Sequence, residues 1–319
     1  LSLHSDIDVL ILFGSKIPGL AKGLTEEIFY PLWDLGLDLG YGTRTIKDCI
    51  KLSRDDFEVL TSMMDARFLC GDSLLFLDLI ENLKKKIISK RKPIFARWLE
   101  DLYQVRMDIK GDASVILEPD LKDGIGGLRD YHYILWLAKA FFDLAEPRDL
   151  EYSGKLSHNE YKALKDRLDF IWLVRNHLHQ LSGRKNDRLN FEYQEKIALR
   201  LGYQDCRDLL AVEQFMGDLH ASMADVKSLN RTFIKSHLPK GRGPWKEAEA
   251  LDLVKGLHTY QGEIRFDSAT VILSDPLMLM TVFEQSLQTG YPLSMEARRL
   301  VSEFLSLLDN NFRRSEQTV

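Results

Sequence analysis

Ser5-Asp6-Ile7-Asp8-Val9-Leu10-Ile11-Leu12-Phe13 is the stretch whose reading decides the fold. From Ile7 to Phe13 every residue but Asp8 is apolar, and Gly14-Ser15 stops the run. That pattern predicts a buried strand with an acidic end at an edge. Side chains two apart on a strand share a face, so Asp6 and Asp8 point the same way. Two carboxylates so placed suit hard divalent cations. Magnesium takes few protein ligands and completes its shell with water and phosphate oxygens. Two such ions about 3.5–4 Å apart can stabilise the attacking and leaving oxygens of a phosphoryl or nucleotidyl transfer. The competing reading makes Asp6 a turn cap and Asp8 an exposed strand residue.

Outward from this strand, residues 19–30 read as a short helix. Residues 32–39, Leu-Trp-Asp-Leu-Gly-Leu-Asp-Leu, alternate as a second strand ended by Gly40-Tyr41-Gly42. Asp34 on that strand would be a third carboxylate, with Asp38 on the same face as its competitor. Beyond residue 45 the period becomes helical. Thr45 caps Ile46 to Leu52, Asp55 or Asp56 opens a helix through Met64, another spans Leu74 to Ile88, and Pro93 begins a fourth. Residues 115–130 break the pattern. Helices follow from Tyr131 to about Leu144, over 157–182, 191–201 and 205–237, with Gly183 and Gly202 as stops. Pro239-Lys240-Gly241-Arg242-Gly243-Pro244 is the clearest linker. A hairpin of residues 262–266 and 270–273 and helices near 276–289 and 294–312 are expected after it.

The chain has 319 residues, 45% hydrophobic and 29% charged, as a folded protein of two domains should. A net charge of −5 supplies no global basic field for nucleic acid or an anionic membrane. No apolar run reaches the roughly 18 residues that span a bilayer. Cys49, Cys70 and Cys206 form no Cys-x-x-Cys pair, which excludes a disulfide framework or cysteine-rich zinc site and suits a reducing cytoplasm. Leu1-Ser2-Leu3-His4 does not read as a signal peptide, and the chain is expected to be cut from a larger protein.

The Ser5–Leu12 run resembles the nucleotidyltransferase domain of the DNA polymerase β type. Three further stretches resemble, more narrowly, the bacterial PII uridylyltransferase family, the bifunctional uridylyl-transferring and uridylyl-removing enzymes of nitrogen control. They are Trp33-Asp34-Leu35-Gly36-Leu37 with Gly40, Arg44 and Thr45; Asp65-Ala66-Arg67-Phe68-Leu69-Cys70-Gly71; and Leu117-Glu118-Pro119-Asp120-Leu121-Lys122 with Gly126-Gly127-Leu128-Arg129-Asp130. A related Lys, Gly-Gly and Arg-Asp pattern occurs in glutamine synthetase adenylyltransferase. The family's glycine-rich helix start, which precedes the Asp-x-Asp strand and holds the nucleotide phosphates, does not occur in this sequence. Ile125 stands where the family more often has proline.

The resemblance implies catalytic and metal-binding roles for Asp6, Asp8 and Asp34, with Mg²⁺ or Mn²⁺. It implies transfer of UMP from UTP to a tyrosine hydroxyl of the PII signalling protein, releasing pyrophosphate, in the cytoplasm. The alternatives are a related adenylyl-transferring regulator and a non-catalytic nucleotide- or protein-binding module. The candidate nucleotide-binding residues are Ser5, Arg44, Lys122, Gly126, Gly127 and Arg129. Gly124 to Gly127 run into a helix start, whose free N–H groups suit phosphate. The same loop also reads as a structural turn in which Glu118, Asp120, Arg129 and Asp130 form ion pairs. Lys84-Lys85-Lys86 and Lys90-Arg91-Lys92 read as a solvated helix end, or as a docking surface for an acidic partner. His177 and His179, two apart on a helix, do not face one direction.

The expected fold is α+β and predominantly α, the remnant of a small mixed nucleotidyltransferase sheet (residues 1–45) packed on a helical bundle (46–240). A small hairpin-and-helix segment (241–319) is expected to lead to further C-terminal domains.

Overall fold

The computed structural model describes residues 2–206, 208–237, 253–260, 263–291 and 293–308. The chain divides into two compact units, Leu1–Pro239 and Lys240–Val319. The expected linker at Pro239–Pro244 lies outside the described residues.

The first unit opens with strand β1 (Ile7–Phe13), helix α1 (Ala21–Asp34) and strand β2 (Leu39–Thr45). The strands pair in parallel from Ile7 opposite Leu39 to Phe13 opposite Thr45. Parallel neighbours need a crossover, and α1 supplies it. Residues 32–39 are therefore not the second strand. Ala21, Thr25 and Phe29 recur every four residues as the buried stripe of α1. Trp33 continues that helix, packing its ring 6.1 Å from Phe29 and 5.7 Å from Tyr41. Its indole N–H donates to the Leu39 carbonyl at 3.3 Å, which ties the helix end to the start of β2.

The helices α2 (Ile46–Asp55), α3 (Phe57–Met64) and α4 (Ser73–Leu83) follow. Thr45 and Asp48 cap α2 reciprocally, Thr45 Oγ accepting from the Asp48 amide and the Asp48 carboxylate from the Thr45 amide. A π-helical turn (Lys84–Ile88) joins α4 to α5 (Ser89–Lys110), so α5 begins before Pro93 rather than at it. Then come α6 (Leu128–Phe142), α7 (Asp149–Tyr152), α8 (His158–Ser182), α9 (Phe191–Arg200) and α10 (Ala211–His237). Gly183, at φ +63°, ends α8 in the left-handed region that favours glycine.

Helix α10 packs on α5, α6, α8 and α9, and its Phe215, Leu219, Met223 and Val226 are buried with Leu99, Ile134, Leu137, Ile171 and Leu178. Leu10 and Leu12 of β1 pack against the same core. The small sheet and the bundle thus form one compact unit. The fold is predominantly helical with small sheets, as its periodicities predict.

In the second unit β3 (Leu257–Tyr260) and β4 (Glu263–Phe266) make an antiparallel hairpin. Residues 270–273, expected as a hairpin strand, belong instead to α11 (Ala269–Ser274). Ile272 buries its side chain beside Ile264, Leu279 and Val282. Helices α12 (Met278–Thr289) and α13 (Met295–Phe304) complete it, and the expected continuation over 309–312 lies outside the described residues. Among the described residues no helix is long and apolar enough to cross a membrane.

Candidate functional site

The parallel register builds the site. Ile7 N–H donates to the Asp38 carbonyl at 3.0 Å, so Asp6 and Asp38 enter their strands side by side. Asp8, two residues on, faces Gly40 across the ladder. A Cβ on Gly40 would overlap the Asp8 carboxylate, so glycine is what lets that side chain lie across β2. Asp6, Asp8 and Asp38 are all exposed. Asp34 is the last residue of α1 and not a strand neighbour of Asp6 or Asp8, so the register brings Asp38 to this edge.

Lys185, from the turn after α8, forms an ion pair with Asp6. Its hydrogen bond is the main cause that holds the Asp6 carboxyl below its usual range, aided by the neighbouring Asp38 carboxyl and the charge of Lys122. The bond to Asp6 correspondingly raises the Lys185 ammonium.

This edge is anchored to α8 by a buried polar network. Arg175 Nε donates to Asp187 Oδ1 at 2.6 Å, and its Nη1 donates to Ser2 Oγ at 2.7 Å. His179, fully buried, lies 3.3 Å from Asp187 through Nε2 and accepts the His4 N–H on Nδ1 at 3.2 Å. Burial works to raise the Asp187 carboxyl, but the Arg175 hydrogen bond and charge prevail and hold it low. Burial likewise pushes the His179 imidazole below its ordinary value. His179 is thus a structural residue, whereas the buried Nδ1 of His177 has no hydrogen-bond partner among the described residues.

The glycine loop is built for packing. The amides of Gly127, Leu128, Arg129 and Asp130 donate to the carbonyls of Gly124, Leu121, Lys122 and Gly127 at 2.8–3.0 Å. Gly126 N–H donates to Asp130 Oδ2 at 2.8 Å. Every N–H that a phosphate would use is therefore occupied internally. Gly126 has φ +90°, and a Cβ there would run into the Met223 carbonyl. The acidic residues pair, as the structural reading expects, but with other partners than one another: Glu118 with Arg188, Asp120 with Lys110, Asp130 with Arg106. Arg129 pairs with Asp123 at 3.0 Å.

Of the remaining candidates, Lys122 is placed near the carboxylates, its charge acting on both Asp6 and Asp187. Ser5 closes a turn, its Oγ accepting the Ser2 N–H at 3.1 Å. Arg44 stands opposite Leu12, four residues along the ladder from the Asp8–Gly40 pair, or about 13 Å. Its guanidinium folds back beside Gly42, two residues from Gly40. The lysine run forms local ion pairs, Lys84 with Asp143 and Lys85 with Glu81.

Among the described residues no group of three His, Cys, Asp or Glu side chains converges as a ready-made metal site. The donor set nonetheless fits a hard cation, because Asp6 and Asp38 are neighbouring carboxylates open to solvent and Asp6 already holds a positive charge, that of Lys185.

Comparison with known proteins places the chain in a family. A family model described as GlnD PII-uridylyltransferase matches residues 95–234. A bifunctional uridylyltransferase/uridylyl-removing enzyme of Ruegeria pomeroyi is 33% identical over 325 residues, 98% of this chain and 35% of its own length. Its counterpart in Cereibacter sphaeroides is 33% identical over 322 residues, 98% of this chain and 34% of its own length. That of Caulobacter vibrioides is 32% identical over 326 residues. No solved structure matches the chain. The chain is a nucleotidyltransferase-family protein. Within that class it belongs to the PII uridylyltransferase family, spanning about a third of the length of the curated relatives it matches.

Proposed function

We propose that this chain carries the carboxylate edge of a nucleotidyltransferase that moves UMP from UTP to a tyrosine hydroxyl of the PII signalling protein in the cytoplasm, releasing pyrophosphate. The observation that supports it is the placement of Asp6, Asp8 and Asp38 at the starts of two parallel strands, in a chain whose relatives are named for uridylyl transfer.

In this reading Asp6, Asp8 and Asp38 hold Mg²⁺ or Mn²⁺, and Asp38 takes the place the sequence pattern gave to Asp34. The bound cation supplies charge neutralisation of the triphosphate and lowers the barrier to attack at the α-phosphorus. Asp38 accepts the proton of the attacking tyrosine hydroxyl. In the same reading Lys122, whose charge acts on Asp6, meets the negative charge that gathers on departing pyrophosphate. Gly126, Gly127 and Arg129 act at one remove, by fixing the segment that carries Lys122.

The test is transfer of labelled UMP to PII by the full-length protein. Asp6→Asn and Asp38→Asn abolish transfer without unfolding, and Asp34→Asn retains it. Transfer that survives Asp6→Asn, or is lost with Asp34→Asn alone, refutes the arrangement. ATP offered in place of UTP separates an adenylyl-transferring relative. The lack of a converged three-ligand group among the described residues favours a second reading, a non-catalytic module, which requires that the full-length protein bind neither Mn²⁺ nor nucleotide.

A further inference from the structure

The turn after α8 carries one cation onto the carboxylate edge and is itself firmly held. Leu121 N–H donates to the Asp187 carbonyl at 2.8 Å, and Leu189 N–H to the Pro119 carbonyl at 2.9 Å. These bonds join the Lys185–Asn190 turn to the Glu118–Lys122 segment, side by side. Phe191 N–H adds a bond to Glu118 Oε1 at 3.0 Å. The joined pieces bring two lysines to bear on one carboxylate. Lys185 contacts Asp6, and Lys122 acts on it through space while having no ion pair of its own among the described residues.

An ammonium on Asp6 Oδ2 repels a cation that approaches the same carboxylate and so weakens its binding there. Lys185 is 44% exposed and Asp6 42%, so the pair sits in water and is weakly held. A divalent cation carries twice the charge of an ammonium and displaces it. The released Lys185 then stands on a flexible stem beside a cation and beside Lys122, a setting that attracts a polyphosphate chain.

We propose that Lys185 is an exchangeable counter-ion and triphosphate ligand. In the empty site it neutralises Asp6 and competes with the divalent cation. When metal and nucleotide arrive together it moves from Asp6 to a phosphate oxygen and, with Lys122, forms a two-ammonium clamp on the polyphosphate. This rests on the carboxylate reading of Asp6 above. The inference makes two effects of one side chain opposite in sign, which a merely structural lysine does not produce.

The experiment uses the whole chain as described, with Mn²⁺ alone and inorganic tripolyphosphate in Mn²⁺ as probes. Free Mn²⁺ is counted by electron paramagnetic resonance, and tripolyphosphate binding is read by calorimetry. Lys185→Met is expected to bind Mn²⁺ alone about two- to fivefold more tightly, the worth of an exposed ion pair. It is expected to bind tripolyphosphate about tenfold more weakly, the worth of one charge-assisted hydrogen bond. Lys185→Arg keeps both properties near those of the unmodified chain. Lys185→Met with unchanged or weaker Mn²⁺ binding, while Asp6→Asn loses it, overturns the counter-ion role and leaves the carboxylate reading standing. Unchanged tripolyphosphate binding overturns the clamp. Mn²⁺ binding indifferent to Asp6→Asn, or absent from every variant, overturns the carboxylate reading and this proposal with it.

Discussion

Asp130 reaches back from the first turn of α6 to the amide of Gly126, while its other oxygen takes the guanidinium of Arg106 at 2.8 Å. The carboxylate is fully buried. Arg106 also donates to the carbonyls of Asp123 and Gly124 at 2.9 and 3.0 Å, so a single ion pair fixes both sides of the glycine loop. Removing one partner leaves an uncompensated buried charge. Arg106→Met is expected to lower stability by about 3–5 kcal/mol, and adding Asp130→Asn to recover part of that loss. Urea denaturation followed by far-ultraviolet circular dichroism measures both.

Two glycine replacements are expected to act in opposite directions. Gly126→Ala combines a left-handed backbone with a clash on Met223 and should cost about 2 kcal/mol or more. Gly23, within α1, has ordinary helical geometry and open space around it, so Gly23→Ala should add about 0.5–1 kcal/mol. Thermal unfolding of the two variants against the unmodified chain decides this.

Acid should weaken the bundle through His132. Burial is the chief cause that pushes its imidazole down to about 4, and its Nδ1 has no hydrogen-bond partner among the described residues. Above pH 6.5 both folded and unfolded chains carry it neutral. As pH falls towards 4 the unfolded chain binds the proton first, and up to about 3 kcal/mol of stability is lost. His132→Phe preserves the stacking on Trp136 and is expected to flatten the loss between pH 6.5 and 4. Urea midpoints across that range are the measurement.

Gly40→Ala is a probe of the carboxylate edge that leaves every carboxylate in place. Its methyl group would displace the Asp8 side chain. Mn²⁺ affinity should fall about tenfold, as when a supporting contact of a metal ligand is lost. The circular dichroism spectrum should not change. Unaltered Mn²⁺ affinity would remove Asp8 from the site.

Strand β1 was legible as a strand because seven residues with one polar interruption admit few other readings, but the expected burial is only partial, since none of its side chains is fully buried and β2 is its one partner strand among the described residues. Strand β2, Leu-Gly-Tyr-Gly-Thr-Arg-Thr, was not, because it carries no apolar alternation and exists through its pairing with β1. The alternation at 32–39 was a false signal. Leu32, Trp33 and Asp34 form the last turn of α1, with Trp33 packed on Phe29 and on Tyr41 of β2, and a short apolar alternation fits the end of a helix as well as a strand. In the proposed site, the spacing of Asp6 and Asp8 pointed to carboxylates on one face only together with the apolar strand behind them, whereas proposing Asp38 over Asp34 required the strand register. Lys185 carried no local motif. Its only trace was a polar turn, Gly183-Arg184-Lys185-Asn186-Asp187, after a long helix. The glycine loop shows the reverse failure, since composition does not reveal that its amides already have partners.

The pairing of Asp6 with Lys185 joins residues 179 apart, which sets an order in time. A ribosome adding about 5–20 residues per second releases the first carboxylates roughly 10–35 s before their counter-ion is made. The residues of strand β2 are made early in that interval, so Asp6, Asp8 and Asp38 have all been synthesised well before Lys185. The finished protein acquires its restraint on cation capture only when α8 and the turn behind it have emerged.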